Sequence, residues 1–218
     1  MDAAMTEYYI PTGHSETEFT EKRSRFLGQV WRVETEEEAR ARIDETKKRF
    51  HDARHNCWCY LLRDPAVERY SDDGEPQGTA GQPMLEVFRR VGITNVCCVA
   101  TRYFGGVLLG TGGLTRAYSR SAKEALHAAG ISVVRRWVEV ELTCPYRLYE
   151  RVKLEVEEAD GLPVETDYAA DVTLHALFPE GKVKDFTDRI AEVTAGESAP
   201  VVIGETLRDI PLQECFNG

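Results

Sequence analysis

Two glycine-punctuated stretches hold most of the residues whose types and spacing could do chemistry. The first, YSDDGEPQGTAGQP (Tyr70 to Pro83), sets Asp72, Asp73 and Glu75 within four residues, between Ser71 and Thr79. Clustered carboxylates can hold Mg²⁺ or act as acid and base. The spacing fits no EF-hand, and Asp-Gly and Glu-Pro are also ordinary turn formers, so a plain turn, a recognition loop and a metal loop all stay open. The second stretch, RYFGGVLLGTGG (Arg102 to Gly113), places Gly105, Gly106, Gly110, Gly112 and Gly113 between an apolar run and a helix start. Glycine there lets the backbone approach a ligand closely, and the free N–H groups of a helix start favour an anion, phosphate above all. Arg102 and Arg116 flank this loop with guanidinium forks suited to phosphate. The stretch lacks the Gly-Lys-Ser/Thr of a P-loop and the glycine spacing of a Rossmann turn. Tight strand-to-helix packing without a ligand is therefore the competing reading.

Outside these loops the chemistry thins. His55, between Arg54 and Asn56, is either a structural imidazole or a hydrogen-bonding partner near the first loop. Lys47, Lys48 and Arg49 form a basic run at the end of an expected helix, where cations are favoured in any case. No Ser/His/Asp or Cys/His constellation, HExxH or nucleophile elbow can be assembled, so no catalytic residue, metal ligand or cofactor is assigned and an enzymatic role is disfavoured. None of the six cysteines sits at zinc-finger or Cys-x-x-Cys spacing. They read as reduced, buried thiols of an intracellular protein, with Cys57 and Cys59 on one face of a strand and Cys97 and Cys98 on opposite faces of another.

The elements that must position these residues follow from pattern. A loose lead-in of about a dozen residues precedes a strand from about Phe19 to Val33. Thr35 and Glu38 make a capping box, with Glu36 and Glu37 favourable in the first turn, opening a helix to about Phe50. Asn56 to Arg63 reads as a strand, and Pro83 starts a short helix closed by Gly92. Thr94 to Thr101 is a continuous apolar run, as in a strand buried on both faces. Leu114, Ala117, Tyr118, Ser121, Ala122, Ala125, Leu126 and Ala129 then share one helical stripe that ends at Gly130. From Ile131 the pattern resets to β-α-β-β-α-β, with strands near Val134 to Leu142, Val164 to Tyr168, Val172 to Phe178 and Val201 to Leu207, the split βαβ of a ferredoxin-like sandwich.

The chain has 218 residues, 42% of them hydrophobic, enough for a sizeable core and too many for a disordered chain. Its longest apolar stretch falls far short of the roughly 20 residues that span a bilayer, and its N-terminus has no signal-peptide core, so a cytoplasmic location is expected. The formal net charge of −10 is unevenly spread. Residues 1–136 carry 20 Lys+Arg against 19 Asp+Glu, net +1, while residues 137–218 carry 7 against 18, net −11. Two domains are expected, 1–136 and 137–218. A polyanion partner would have to use the first, because phosphate binding requires cations.

SDDGEPQGTAGQP (Ser71 to Pro83), TRYFGGVLLGTGGLTRAYSR (Thr101 to Arg120) and the weaker EKRSRFLG (Glu21 to Gly28) and ARHNCWCYLLR (Ala53 to Arg63) resemble the Impact/YigZ family. The resemblance covers roughly Phe19 to Gly130. The acidic remainder is similar to the C-terminal domain of the bacterial YigZ branch, itself like a domain of elongation factor G. An α+β chain is implied, with a ribosomal-protein-like left-handed βαβ domain followed by the ferredoxin-like one. Eukaryotic relatives regulate translation initiation through protein–protein contacts that interfere with activation of an initiation-factor kinase. The resemblance therefore implies a translation-associated module whose partner is RNA, the ribosome or a translation-related protein, without a membrane or secreted partner. A phosphate- or nucleotide-binding enzyme using the glycine loop is the alternative. In either case the two loops are expected to converge on one mixed-charge groove. It would hold Asp72, Asp73, Glu75, Arg102, Gly110, Gly112 and Arg116, with His55, Ser71, Thr79, Tyr103, Gly105, Gly106 and Gly113 as further ligand-binding candidates.

Overall fold

Strand alternation and helical periodicity place the apolar residues of the first half on both faces of one sheet. In the computed structural model, which describes residues 7–212, the chain divides into two compact units: Tyr8–Val133 with residues 210–212, and Val134–Asp209 with Glu7. The first contains β1 (Tyr8–Pro11), β2 (Ser15–Glu21), β3 (Ser24–Arg32), α1 (Glu36–Arg49), β4 (His55–Leu62), β5 (Val67–Ser71), α2 (Gly81–Val91), β6 (Val96–Tyr103) and α3 (Thr111–Ala129). Its sheet has the order β2-β3-β6-β4-β5, antiparallel at every step. Strands β3 and β4 are both antiparallel to the intervening β6 and so parallel to each other, which makes β3-α1-β4 a crossover unit.

The expected strand from Phe19 to Val33 is in fact a hairpin. Lys22 (φ 44°) and Arg23 (φ 67°) form its two-residue turn, and the primed geometry matches the twist of the flanking strands. The turn lacks the Gly or Asn that usually marks such a site. The lead-in contains β1, held by the Thr94 N–H donating to the Tyr9 carbonyl at 2.9 Å. The acidic loop is shorter than expected, because Tyr70 and Ser71 close the edge strand β5 against β4. The start of α1 agrees with its capping box. Thr35 Oγ1 accepts from the Glu38 N–H at 3.2 Å, and Glu38 Oε2 accepts from the N–H of Glu34 at 2.6 Å, one residue further out than the usual reciprocal bond.

Both sheet faces are covered. Phe26, Cys57, Cys59 and Cys98 pack against Met84 and Phe88 of α2 and Leu114 and Tyr118 of α3. Tyr60, Cys97 and Val99 pack against Ala39 and Ile43 of α1. Adjacent Cys97 and Cys98 thus enter opposite cores, as alternation requires. The five cysteines among the described residues are buried free thiols; Cys215 lies outside them.

β7 (Ile131–Cys144) leads into the second unit, which continues with α4 (Tyr146–Glu158), β8 (Leu162–Tyr168), β9 (Val172–Pro179), a single 3-10 turn (Glu180–Lys182), α5 (Val183–Val193) and β10 (Val201–Pro211). The sheet runs β1-β7-β9-β8, with β10 also paired to β7; its β7-α4-β8-β9-α5-β10 part is the split βαββαβ arrangement that the sequence implies. Val152 and Val156 of α4 and Phe186 and Ile190 of α5 form its core with Val140, Leu142, Leu174 and Phe178. The chain is an α+β protein. Among the described residues no helix is long and apolar enough to cross a membrane.

Candidate functional site

Arg102 sits next to the end of β6 yet is only 4% exposed. A guanidinium in that position requires a counter-charge, since burying an unpaired ion is prohibitive. Glu75, reaching in from the acidic loop, supplies it: Arg102 Nη1 donates to Glu75 Oε1 at 2.6 Å. The same oxygen accepts from the Tyr118 hydroxyl of α3 at 2.8 Å, and Arg102 Nη2 donates to Ser24 Oγ at 3.2 Å. His55, the register partner of Arg102 across β4 and β6, places Nε2 3.8 Å from Glu75 Oε1. Its Nδ1 lies 2.8 Å from the Asp73 carbonyl. A carbonyl can only accept, so Nδ1 carries the proton. Burial, reinforced by the neighbouring Cys57 and Glu75, pushes the Tyr118 phenol well above the usual tyrosine range and keeps it a donor. Burial likewise pushes up the Cys57 thiol, whose Sγ donates to the Asp72 carbonyl at 3.0 Å.

The other two loop carboxylates are equally committed. Asp72 accepts from the backbone N–H groups of Gly78 (2.8 Å), Ala80 (3.0 Å) and Gly81 (2.8 Å). It caps α2 from a distance, where the helix has no capping side chain of its own. Asp73 bonds Lys47 Nζ at 2.9 Å and the Asn56 N–H at 2.7 Å. Ser71 Oγ accepts from the Asp73 N–H at 3.1 Å, and Thr79 Oγ1 donates to the Pro76 carbonyl at 2.6 Å. Lys47 and Arg49 are more than a solvated helix end, since Arg49 pairs with Glu16 at 2.6 Å. Among the described residues no three His, Cys, Asp or Glu side chains come together to hold a metal ion.

The glycine loop is pinned to the β2-β3 turn. A Cβ on Gly105 would fall 1.9 Å from the Arg23 carbonyl oxygen, so only glycine fits there, and the Gly105 N–H donates to Ser24 Oγ at 3.3 Å. Ser24 thereby joins the loop to the buried ion pair. Beyond it the chain turns outward: Phe104 is 40% and Leu108 81% exposed. At the loop's end Gly110 opens α3 with no capping side chain and no acidic residue in the first turn, leaving its N–H groups to solvent or a ligand. Arg54 Cζ lies 5.8 Å from the centre of the Phe104 ring, and the Arg116 guanidinium lies near Gly112, within a turn of the helix start. Arg23, Arg54 and Arg116 are exposed, with no carboxylate partner among the described residues.

The structure therefore brings His55, Ser71, Asp72, Asp73, Glu75 and Arg102 together, but not as an open groove of mixed charge. The two stretches meet in a buried ion pair, with side chains 5% and 3% exposed, because acids placed beside backbone donors and a buried cation satisfy those groups first. Arg116, Gly106, Gly110 and Gly112 stand outside on the exposed loop and helix start, while Gly113 packs on Leu109. Tyr103 alternates to the far side of Arg102 and donates to Asp52 at 2.7 Å. Sequence reasoning passed over Ser24, Phe104 and the role of Tyr118. The last carried a signal, since a tyrosine within an apolar stripe must find a partner for its hydroxyl.

Known proteins resemble this chain along most of its length. Residues 22–126 match the Impact N-terminal domain, and residues 142–197 match a domain of unknown function (DUF1949). The chain is 36% identical over 193 residues to IMPACT family member YvyE of Bacillus subtilis, covering 88% of each protein. It is 33% identical over 187 residues to IMPACT family member YigZ of Escherichia coli, covering 84% of this chain and 92% of that one. A crystal structure of a hypothetical protein superposes with a TM-score of 0.57 at 32% identity, covering 92% of this chain and 98% of that one. Sequence and fold together place the chain in the Impact family.

Proposed function

We propose that the protein is a translation-associated binding module whose first unit grips the phosphates of RNA, free or ribosomal, at the exposed start of α3. The observation that carries this reading is a separation of charge. Asp72, Asp73 and Glu75 are all consumed by internal partners, whereas Arg23, Arg54 and Arg116 have no carboxylate partner among the described residues. A half of the chain that is nearly neutral in total thus presents a locally cationic face beside free helix N–H groups, the arrangement that favours phosphate. Phe104 adds an exposed ring on which a base can stack.

Fluorescence anisotropy with a labelled single-stranded RNA tests the reading. Arg54→Ala with Arg116→Ala should weaken binding at least tenfold and lower the salt slope by about two, one for each phosphate contact removed. Undiminished or salt-independent binding by this double variant would sink the proposal. Competition by a free nucleotide, with no binding of RNA, would favour the enzymatic alternative at the same helix start.

A further inference from the structure

A second surface of the first unit owes nothing to the glycine loop. The helices α2 and α3 line an open cleft of about 1140 Å³. Small-molecule sites bury most of their ligand, whereas this cleft is open to solvent. Its floor is apolar. Met84, Leu85 and Phe88 of α2 turn into the core, while Val87 and Val91, one helical turn apart, rest on the core only partly covered and face the cleft beside Leu126 of α3.

The rim is positive once its internal pairs are removed. Of the two acids lining the cleft, Glu86 is held by Arg89 and Glu124 by Arg120 at 2.7 Å. Arg90 and Lys123 also line it and have no carboxylate partner among the described residues. We infer that this cleft docks an acidic amphipathic helix of a partner protein, its apolar residues on Val87, Val91 and Leu126 and its carboxylates against Arg90 and Lys123. Helix-in-groove recognition reads apolar anchors at i, i+3, i+4 and i+7, and the 11 residues of α2 span roughly 16 Å, enough for about three turns of such a helix. RNA fits this surface less well. Its one aromatic side chain is His127, it offers only Arg90 and Lys123 as cations without a carboxylate partner among the described residues, and the Arg120 guanidinium is committed to Glu124 and to the Phe19 ring at 4.1 Å.

The test is selection of a random 16-residue peptide library, displayed on phage, against the full chain and against its Arg90→Glu/Lys123→Glu variant. Both substituted side chains are exposed, so the variant should keep its thermal unfolding midpoint, and Val87→Asp serves as an independent change to the floor. The wild-type pool should be rich in Asp and Glu around Leu or Phe at helical spacing. The charge-reversed chain should lose that acidic bias, and each variant should weaken the best wild-type peptide at least tenfold. A pool without acidic bias, or peptides indifferent to all three substitutions, would overturn the inference. So would loss of RNA binding in the charge-reversed chain, which would assign the cleft to RNA. The glycine-loop reading stands or falls separately, on Arg54 and Arg116.

Discussion

At the scale of single residues, the Glu75–Arg102 pair decides how the site is built. With both side chains buried and a shared network to Tyr118 and Ser24, each ion depends on the other for its counter-charge. Removing one member of such a pair costs about 3–5 kcal/mol, whereas replacing both by apolar groups of similar size is often close to neutral. Arg102→Met alone should therefore destabilise the protein by about 3 kcal/mol or more in urea unfolding. Adding Glu75→Leu should recover much of that loss, although Tyr118 then lacks its acceptor. Additive losses would show that the two residues act independently. The carboxylates themselves were legible, since three acids in four residues demand an explanation. Their partners were not, because Tyr118 lies 43 residues from Glu75 and Arg102 lies 27 residues away. Nothing in local spacing reports which buried donors a loop will meet. Asp72 shows the same limit: it reads as a possible ligand or acid, and it serves as the cap of a helix that begins nine residues later.

At the scale of elements, what could be read was what is local. The capping box of α1, the doubly buried β6 and the stripe of α3 each declare themselves within one or two turns of chain. The β2-β3 hairpin was missed because Lys22 and Arg23 adopt positive φ without a glycine, and β5 because an edge strand with half-exposed residues has no clear alternation. The hairpin turn and the glycine loop also fix each other, which gives two adjacent glycines different weights. A Cβ at Gly105 meets the backbone of Arg23 and can be accommodated only by moving one of two chain segments. At Gly106 a Cβ meets nothing, and only its φ of 83° opposes substitution, a strain of roughly 1–2 kcal/mol. Gly106→Ala should accordingly lower the thermal midpoint modestly. Gly105→Ala should cost about 2–3 kcal/mol, towards the upper end of the usual range for point mutants, and loosen RNA binding through the displaced loop. Equal effects at the two positions would refute the close approach.

At the scale of the whole molecule, the chain joins two chemistries that a single isoelectric point of 5.1 conceals. The core clusters of the two units share no residue, and β7 carries the chain from one to the other. The break of charge and the restart of the βαββαβ pattern both fall near residue 136, and both are properties of long stretches that survive ignorance of any one contact. We propose that each unit is a separate folding domain with a separate surface. Residues 134–212 hold 9 Lys+Arg against 17 Asp+Glu, net −8, so phosphate should be repelled there while the first unit attracts it. Expressed alone, this fragment should give a mixed α/β circular-dichroism spectrum, unfold in one cooperative urea transition, and leave RNA unbound at low as well as high salt. The full chain should lose RNA affinity steeply as salt rises, since counterion release drives that contact. An unfolded or aggregating fragment would show that the second unit needs the first to fold. RNA binding by the acidic fragment would show that something other than fixed charge brings phosphate to this protein.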